Sequence, residues 1–254
     1  MSMRLGLMSD LYGNAHAVRA VLTDAEIMGV DEWWVLGDLV ALGPDPVEVL
    51  ELLAALPNVR CIGGNTERYV LTGDRPYPDF PDVRRDPGLL ERLVTIAASF
   101  GWTRGAITQA GWRHWLAGLP TELRLTLPDG TALLAIHASP GSDDGPGIDT
   151  RIDDESLFAL LAGCGADLVI GGHTHDVTDR QVGAIRAVNL GSVSNSHRAD
   201  RCATYAIIDA TEHHHQVMPR IVDYDHDAFV RRLDEVGHPS ADYLQQFQIV
   251  RDST

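Results

Sequence analysis

Short apolar runs, each closed by glycine or a polar side chain, punctuate much of the chain. Leu5 to Met8, Trp33 to Leu36, Val59 to Ile62, Leu133 to Ile136 and Ala166 to Gly171 are of strand length and bounded by turn residues, so they read as buried strands. Between the first two, Ala17, Val18, Ala20, Val21, Leu22 and Ala25 recur at helical spacing, and Asn14 stands where an N-cap belongs. The same alternation repeats through a strand at 33–36, a helix at 46–56 with Pro46 in its first turn, a strand at 59–62 and a short helix opened by Asn65. Strand 1 itself spans about 3–9.

The pattern then changes. Four prolines, at 76, 78, 81 and 87, predict an irregular excursion over 73–88, and helices follow at about 88–100 and 104–117. Residues 73–118 therefore read as a helical, cap-like insertion, whose Trp102, Trp112 and Trp115 suit core packing better than a substrate-facing cap. Runs at 121–127 and 132–136 flank Pro128-Asp129-Gly130 and predict a hairpin. A Gly/Asp-rich loop at 140–150 and a helix at 153–163 lead to the strand before His173. Strands near 184–190, 202–209 and 215–222 are expected to complete a second sheet, and helices near 225–236 and 239–247 to end the chain. Pattern alone supports a mixed α/β class.

Composition narrows the function classes. A chain of 254 residues without a Gly/Ser-rich or single-sign linker is expected to form a single domain over 1–254. Asp and Glu outnumber Lys and Arg by 36 to 20, a formal charge of −16, which disfavours nucleic acid polymers as partners. No apolar stretch approaches the roughly 20 residues of a membrane span. The N-terminus enters a strand without a leader pattern, so a cytoplasmic location is expected. Cys61, Cys164 and Cys202 are widely spaced and read as reduced. The oligomeric state has no signature here.

The chemistry sits at the strand ends. Asp10, Asp38, Asn65, His137 and the pair His173 and His175 each follow a predicted strand. In open α/β sheets the ligand crevice lies beyond the carboxyl ends of the strands, so residues far apart in sequence converge there. Carboxylates, an amide oxygen and imidazoles form a ligand set for divalent transition metals, large enough for two ions with one carboxylate shared.

The segments Ser9-Asp10-Leu11-Tyr12-Gly13-Asn14, Gly37-Asp38, Gly64-Asn65-Thr66-Glu67, His137-Ala138-Ser139-Pro140 and Gly172-His173-Thr174-His175 keep the order and spacing of a known signature. By these motifs the chain resembles the calcineurin-like metallophosphoesterases, and through Leu36 to Pro46 their compact bacterial phosphodiesterase branch. The resemblance implies a four-layer α/β/β/α sandwich of two mixed sheets. It also implies one metal on Asp10 and His175, a second on Asn65, His137 and His173, and Asp38 bridging them. Manganese, iron or zinc, divalent or mixed-valence, are the ions it suggests, and Asp38, Asn65 and Thr66 are the catalytic positions. The implied activity is metal-dependent hydrolysis of a small phosphodiester or nucleotide polyphosphate by metal-activated water, with ions about 3.5–4 Å apart polarising the phosphoryl group.

Two departures qualify this. Tyr12 stands where the family has a histidine ligand, and Thr66 where it has the histidine that protonates or orients the leaving group. Tyr12 is open to three readings: a phenolate ligand, a non-ligating side chain that leaves metal 1 weakly occupied, or a mark of lost hydrolysis. A threonine hydroxyl is no acid near neutral pH, and general acid catalysis contributes about 10² to 10⁴ fold. The alternative function is thus a degenerate relative that binds a nucleotide or a partner with little or no hydrolysis. Glu67 reads as an early-helix acid at the positive dipole end. Asn14, Ser192 in the loop Asn189–Asn195, and Arg198 are the candidate substrate contacts, with Arg201 a further charge. His213-His214-His215 reads as a solvated loop or strand end, because adjacent strand residues point apart.

Overall fold

The computed structural model of the protein describes residues 2–246. It opens on β1 (Met3–Met8), α1 (Ala15–Met28), β2 (Glu32–Leu36), α2 (Pro46–Ala54) and β3 (Val59–Ile62). β1, β2 and β3 pair in parallel, and each crossover carries a helix because a tight turn cannot join parallel neighbours. Next come α3 (Asn65–Thr72), α4 (Phe80–Arg85), α5 (Leu90–Gln109), α6 (Arg113–Ala117), the hairpin β4 (Glu122–Thr126) and β5 (Ala132–Ile136), and α7 (Asp154–Leu161). β6 (Leu168–Gly171), β7 (Thr178–Val182), β8 (Ile185–Asn189), β9 (Ala203–Ala210), β10 (His215–Val222), α8 (His226–Glu235) and α9 (Ala241–Gln245) complete the described elements.

The described strands form two five-stranded mixed sheets, ordered β10-β9-β1-β2-β3 and β4-β5-β6-β8-β7. Side-chain alternation sends Leu5 and Leu7 of β1 to the layer between the sheets and Met8 to the opposite side. Between the sheets they join Trp34 and Ile62, and meet Leu133, Leu168 and Ile170 of the second sheet. Val18, Val49, Leu53, Phe100 and Phe229 cover the other face of the first sheet from α1, α2, α5 and α8. Leu157 and Leu161 of α7 cover Ile136 and Val169 on the far side of the second. Helix, sheet, sheet, helix is the expected four-layer order.

Several local expectations change. Residues 203–210 and 215–222 do not complete the second sheet; β9 pairs antiparallel with β1 and brings β10 to the edge of the first. β9 is buried along nearly its whole length, so it has no polar face to signal which sheet it belongs to. β7 escapes the pattern because it is a polar edge strand, Thr-Asp-Arg-Gln-Val, covered only at alternate positions. The break expected near 101–103 is absent, and α5 runs 20 residues through Gly101 and Gly105. Its buried stripe of Ile96, Phe100, Thr103 and Ile107 outweighs the cost of about 1 kcal/mol per helical glycine. The proline-rich excursion holds α4, capped by Asp79. The last expected helix is Ala241–Gln245, and residue 247 lies outside the described residues.

Trp112 and Trp115 pack edge to face at 5.6 Å between centroids, and Trp102 meets His238 at 4.7 Å. No helix among the described residues is long and apolar enough to cross a membrane.

Candidate functional site

The carboxyl ends of β1, β2, β3, β5 and β6 meet where the two sheets adjoin. Asp10 N donates to Gly37 O at 3.1 Å, tying the β1 end to the β2 end, and Gly172 N donates to His137 O at 3.0 Å, tying the β6 end to the β5 end. Asp10, Tyr12, Asp38, His173 and His175 all have left-handed backbones, with φ of 59°, 47°, 54°, 70° and 62°. That conformation costs roughly 1–2 kcal/mol for a residue with a Cβ. Its recurrence at these positions marks a site whose side chains are aimed at some expense to the backbone.

Asp10, Asp38 and His137 are buried and offer ligating atoms within 4.8 Å of one another. Asn65 Oδ1 lies 3.0 Å from His137 Nε2 and 3.1 Å from His173 Nδ1. His175 Nε2 lies 3.3 Å from Asp10 Oδ1. His137 Nδ1 donates to Leu36 O at 2.7 Å, which turns Nε2 towards Asp38 and Asn65. Asp38 Oδ1 accepts from Thr66 N at 2.9 Å, but its Oδ2 is buried without a hydrogen-bond partner among the described residues. A carboxylate oxygen so placed is an acceptor without a donor. Together with the carboxylate, amide and imidazole donors around it, it fits a divalent cation. The structure thus brings together six sequence-predicted metal ligands: Asp10, Asp38, Asn65, His137, His173 and His175.

Electrostatics follow from burial among charges. Burial raises the Asp10 carboxyl, but His175, His137 and the Ser9 hydroxyl outweigh it and hold the group at about 2. Ser9 Oγ donates to Asp10 Oδ2 at 2.6 Å, and His173 N donates to the same oxygen at 3.0 Å. Burial lowers His137, yet Asp38 and Asp10 reverse that effect and the imidazole is raised. Tyr12 places its hydroxyl 2.8 Å from His175 Nε2 and 3.3 Å from Asp10 Oδ1. Burial, then the charges of Asp38 and Asp10, push the phenol well above 10 and favour its neutral form.

Three supporting residues carry more than sequence reasoning assigned them. Glu67 accepts four backbone N–H groups: Oε2 from Asp38 and Gly64, each at 2.8 Å, and Oε1 from Leu39 at 2.8 Å and Val40 at 3.1 Å. It fastens the β2 end to the β3 end. Burial and the charge of Asp38 push it up to about 7, against the hydrogen bonds from Gly64 and Val40. Its place three residues after Gly64, in the third motif, was the available signal. Asn189 donates to Gly172 O at 2.6 Å and to Ile148 O and Thr174 Oγ1, bracing the turn between the two histidines. Ser9 holds Asp10 as described. Two glycines permit the close approach: a Cβ on Gly64 would lie 2.3 Å from Asp38 Oδ1, and one on Gly172 would lie 1.9 Å from Ser9 Oγ.

The side chains expected to contact substrate are engaged within the protein instead. Asn14 is fully buried, accepting from Ala17 N and donating to Ser194 Oγ, as a helix cap tied to the neighbouring loop. Ser192 Oγ donates to Asp10 O and accepts from Asn195 N, while Val193 N and Ser194 N donate to Ser9 O and Asp10 O. That loop therefore supports the end of β1. Arg198 forks onto Asp200 and lines a different hollow, and Arg201 donates to Ser196 O. Thr66 stays at the cluster, with Oγ1 3.4 Å from Val40 O. His215 begins β10 and sits 2.7 Å from Asp129, apart from its two histidine neighbours.

The sequence profile described as the calcineurin-like phosphoesterase superfamily domain matches residues 3–213, a span that contains every residue of this cluster. The chain belongs to that superfamily. Among solved structures, this calcineurin-like phosphoesterase is similar to a hypothetical protein from Pyrococcus horikoshii OT3, with a TM-score of 0.80, 18% identity and coverage of 99% of this chain and 100% of the other. It is also similar to a metallophosphoesterase from Sphaerobacter thermophilus, with a TM-score of 0.71, 25% identity and coverage of 97% and 99%. Among curated proteins, the symmetrical bis(5′-nucleosyl)-tetraphosphatase of Erwinia tasmaniensis is 39% identical over 67 residues, 26% of this chain and 24% of that protein. An uncharacterised protein of Methanocaldococcus jannaschii is 36% identical over 67 residues, 26% of this chain and 27% of that one. The chain spans about a quarter of the length of these curated relatives.

Proposed function

We propose that this calcineurin-like phosphoesterase is a cytoplasmic, metal-dependent hydrolase of a small phosphodiester or a nucleotide polyphosphate. The observation that carries the reading is Asp38 Oδ2, a buried carboxylate oxygen without a hydrogen-bond partner among the described residues, beside Asp10, His137 and Asn65. In this reading Asp10, Asp38 and His175 would hold one cation, and Asp38, Asn65, His137 and His173 another. Bound divalent cations, whether manganese, iron or zinc, supply Lewis acidity and an activated water at such a site. The net charge of −16 favours a small ester over a nucleic acid polymer, and the local match to a symmetrical bis(5′-nucleosyl)-tetraphosphatase supports the nucleotide polyphosphate branch.

The chain's own residues set the remaining chemistry. Thr66 has no proton to give near neutral pH, so esters whose leaving group departs without protonation are the better substrates. The neutral Tyr12 hydroxyl donates a hydrogen bond towards His175 or Asp10 and competes for the atoms that would bind the first cation. That contact also favours a second reading, a weakly metallated relative that binds without turnover. Loading purified protein with manganese, iron or zinc, measuring metal per chain and assaying an activated aryl phosphodiester separates the two. Turnover that Asp38→Asn lowers by about 10²-fold or more supports the hydrolase. No turnover above metal-free protein under any loading rejects it.

A further inference from the structure

We propose that the cavity beside the cluster receives the organic part of the phosphate ester and selects a planar aromatic group, phenyl or nucleobase in kind. The proposal rests on the phosphoesterase reading for its orientation and adds a substrate class to it. The cavity has a volume of about 410 Å³, within the ordinary range of small-molecule sites. Tyr12, Asn65, Thr66 and His175 form its floor, so a phosphoryl group held at the cluster leaves its substituent in this space.

The walls are rings and aliphatic side chains. Tyr77, Ile96 and Phe100 come from the segment inserted between α3 and β4, and Phe229, Tyr243 and Leu244 from the C-terminal helices. Phe100 is 2% exposed, packs edge to face on Tyr69 at 5.8 Å and carries the Arg75 guanidinium over its ring at 5.5 Å. Tyr69 is itself fixed by donating to Asp144 at 2.8 Å. A wall held this way costs little further ordering when a flat ring slides against it.

Charge points the same way. Among the described residues no carboxylate lines the cavity, in a chain of net charge −16. Arg92 is the one described lysine or arginine that lines it, stacked over Tyr77 at 5.6 Å and without an acidic partner among the described residues. An apolar chamber with a cation at its rim and metal-ligating atoms at its floor suits an anionic ester with an aromatic tail.

The test is calorimetric binding to manganese-loaded and metal-free protein of two matched pairs, phenylphosphonate against methylphosphonate and adenosine 5′-monophosphate against ribose 5-phosphate. Burying one ring is expected to tighten the aromatic member of a pair by roughly tenfold or more. Ile96→Trp fills the cavity and should bring the ratio to about one, while Tyr77→Ala, at a position 58% exposed and safe for folding, should lower it about threefold. Discrimination in the phosphonate pair alone assigns aryl esters, and in the nucleotide pair alone nucleotides. Equal affinities within both pairs, no binding of any probe, or ratios unchanged by Ile96→Trp overturn the proposal. Equal affinities with continued turnover of an aryl phosphodiester sink only the aromatic pocket; preserved ratios without turnover under any metal sink only the hydrolase.

Discussion

At the scale of single residues, the site is decided by which groups replace solvent around Asp10 and Asp38. Tyr12 offers a hydroxyl where a nitrogen ligand would serve a cation better, because burial beside two carboxylates keeps the phenol protonated. Tyr12→His is expected to raise metal per chain under limiting metal, and joining it with Thr66→His to raise turnover by tenfold or more; elemental analysis and steady-state kinetics check both. Unchanged metal content would mean that Tyr12 does not limit the first site. Glu67 holds two N–H groups on each oxygen. Glu67→Gln sets an amide NH₂ against two of those donors and is expected to cost about 1–3 kcal/mol, read as a lower urea midpoint, together with weaker metal retention.

At the scale of elements, the strand ends that carry Asp10, Asp38, Asn65, His137, His173 and His175 were legible because apolar runs and their polar terminators are local signals. The same logic misplaced other pieces. Two helices were expected, at 88–100 and 104–117, but burial of Phe100 and Ile107 carries one helix through the gap between them. Ser192 and Arg198 had the right chemistry for phosphate, but Ser192 is taken up by the main chain at Asp10 and Arg198 by Asp200. Residue type does not reveal a prior partner. The packing of α5 against the turn before α9 makes a pH prediction. His238 is buried beside the Trp102 ring, its Nδ1 accepts from Ser240 N, and its Nε2 has no hydrogen-bond partner among the described residues. Burial holds its pKa down at about 4, against about 6.5 in an unfolded chain. The unfolded chain therefore takes up the proton first, and stability complete above about pH 6.5 is lost as pH falls towards 4. Urea midpoints at pH 7 and 4.5 are expected to show His238→Gln sparing on the order of 2 kcal/mol of that loss. An identical acid loss in the variant would assign it to other groups.

At the scale of the whole molecule, the two sheets bring the ligands together through their shared apolar layer. Asp10, Asp38 and Asn65 come from one sheet, and His137, His173 and His175 from the other. Ile170 lies in that layer, fully buried, just before the Gly-His-x-His turn. Ile170→Ala is expected to cost about 2–5 kcal/mol and to weaken metal binding as well, because the cavity loosens the register between the sheets. Denaturant titration and metal retention measured on one preparation check this; a stability loss with intact metal affinity would show that the site is braced locally instead.

By itself the sequence determined the mixed α/β class, the strands that end in ligands and the ligand types, since periodicity and side-chain chemistry act over a few residues. Tertiary structure decided which sheet β9 and β10 joined, that Glu67 clamps two strand ends, and that aromatic residues from distant segments enclose one cavity beside the cluster. Those outcomes depend on long-range pairing and on competition for hydrogen-bond partners, which exist only once the chain has closed on itself.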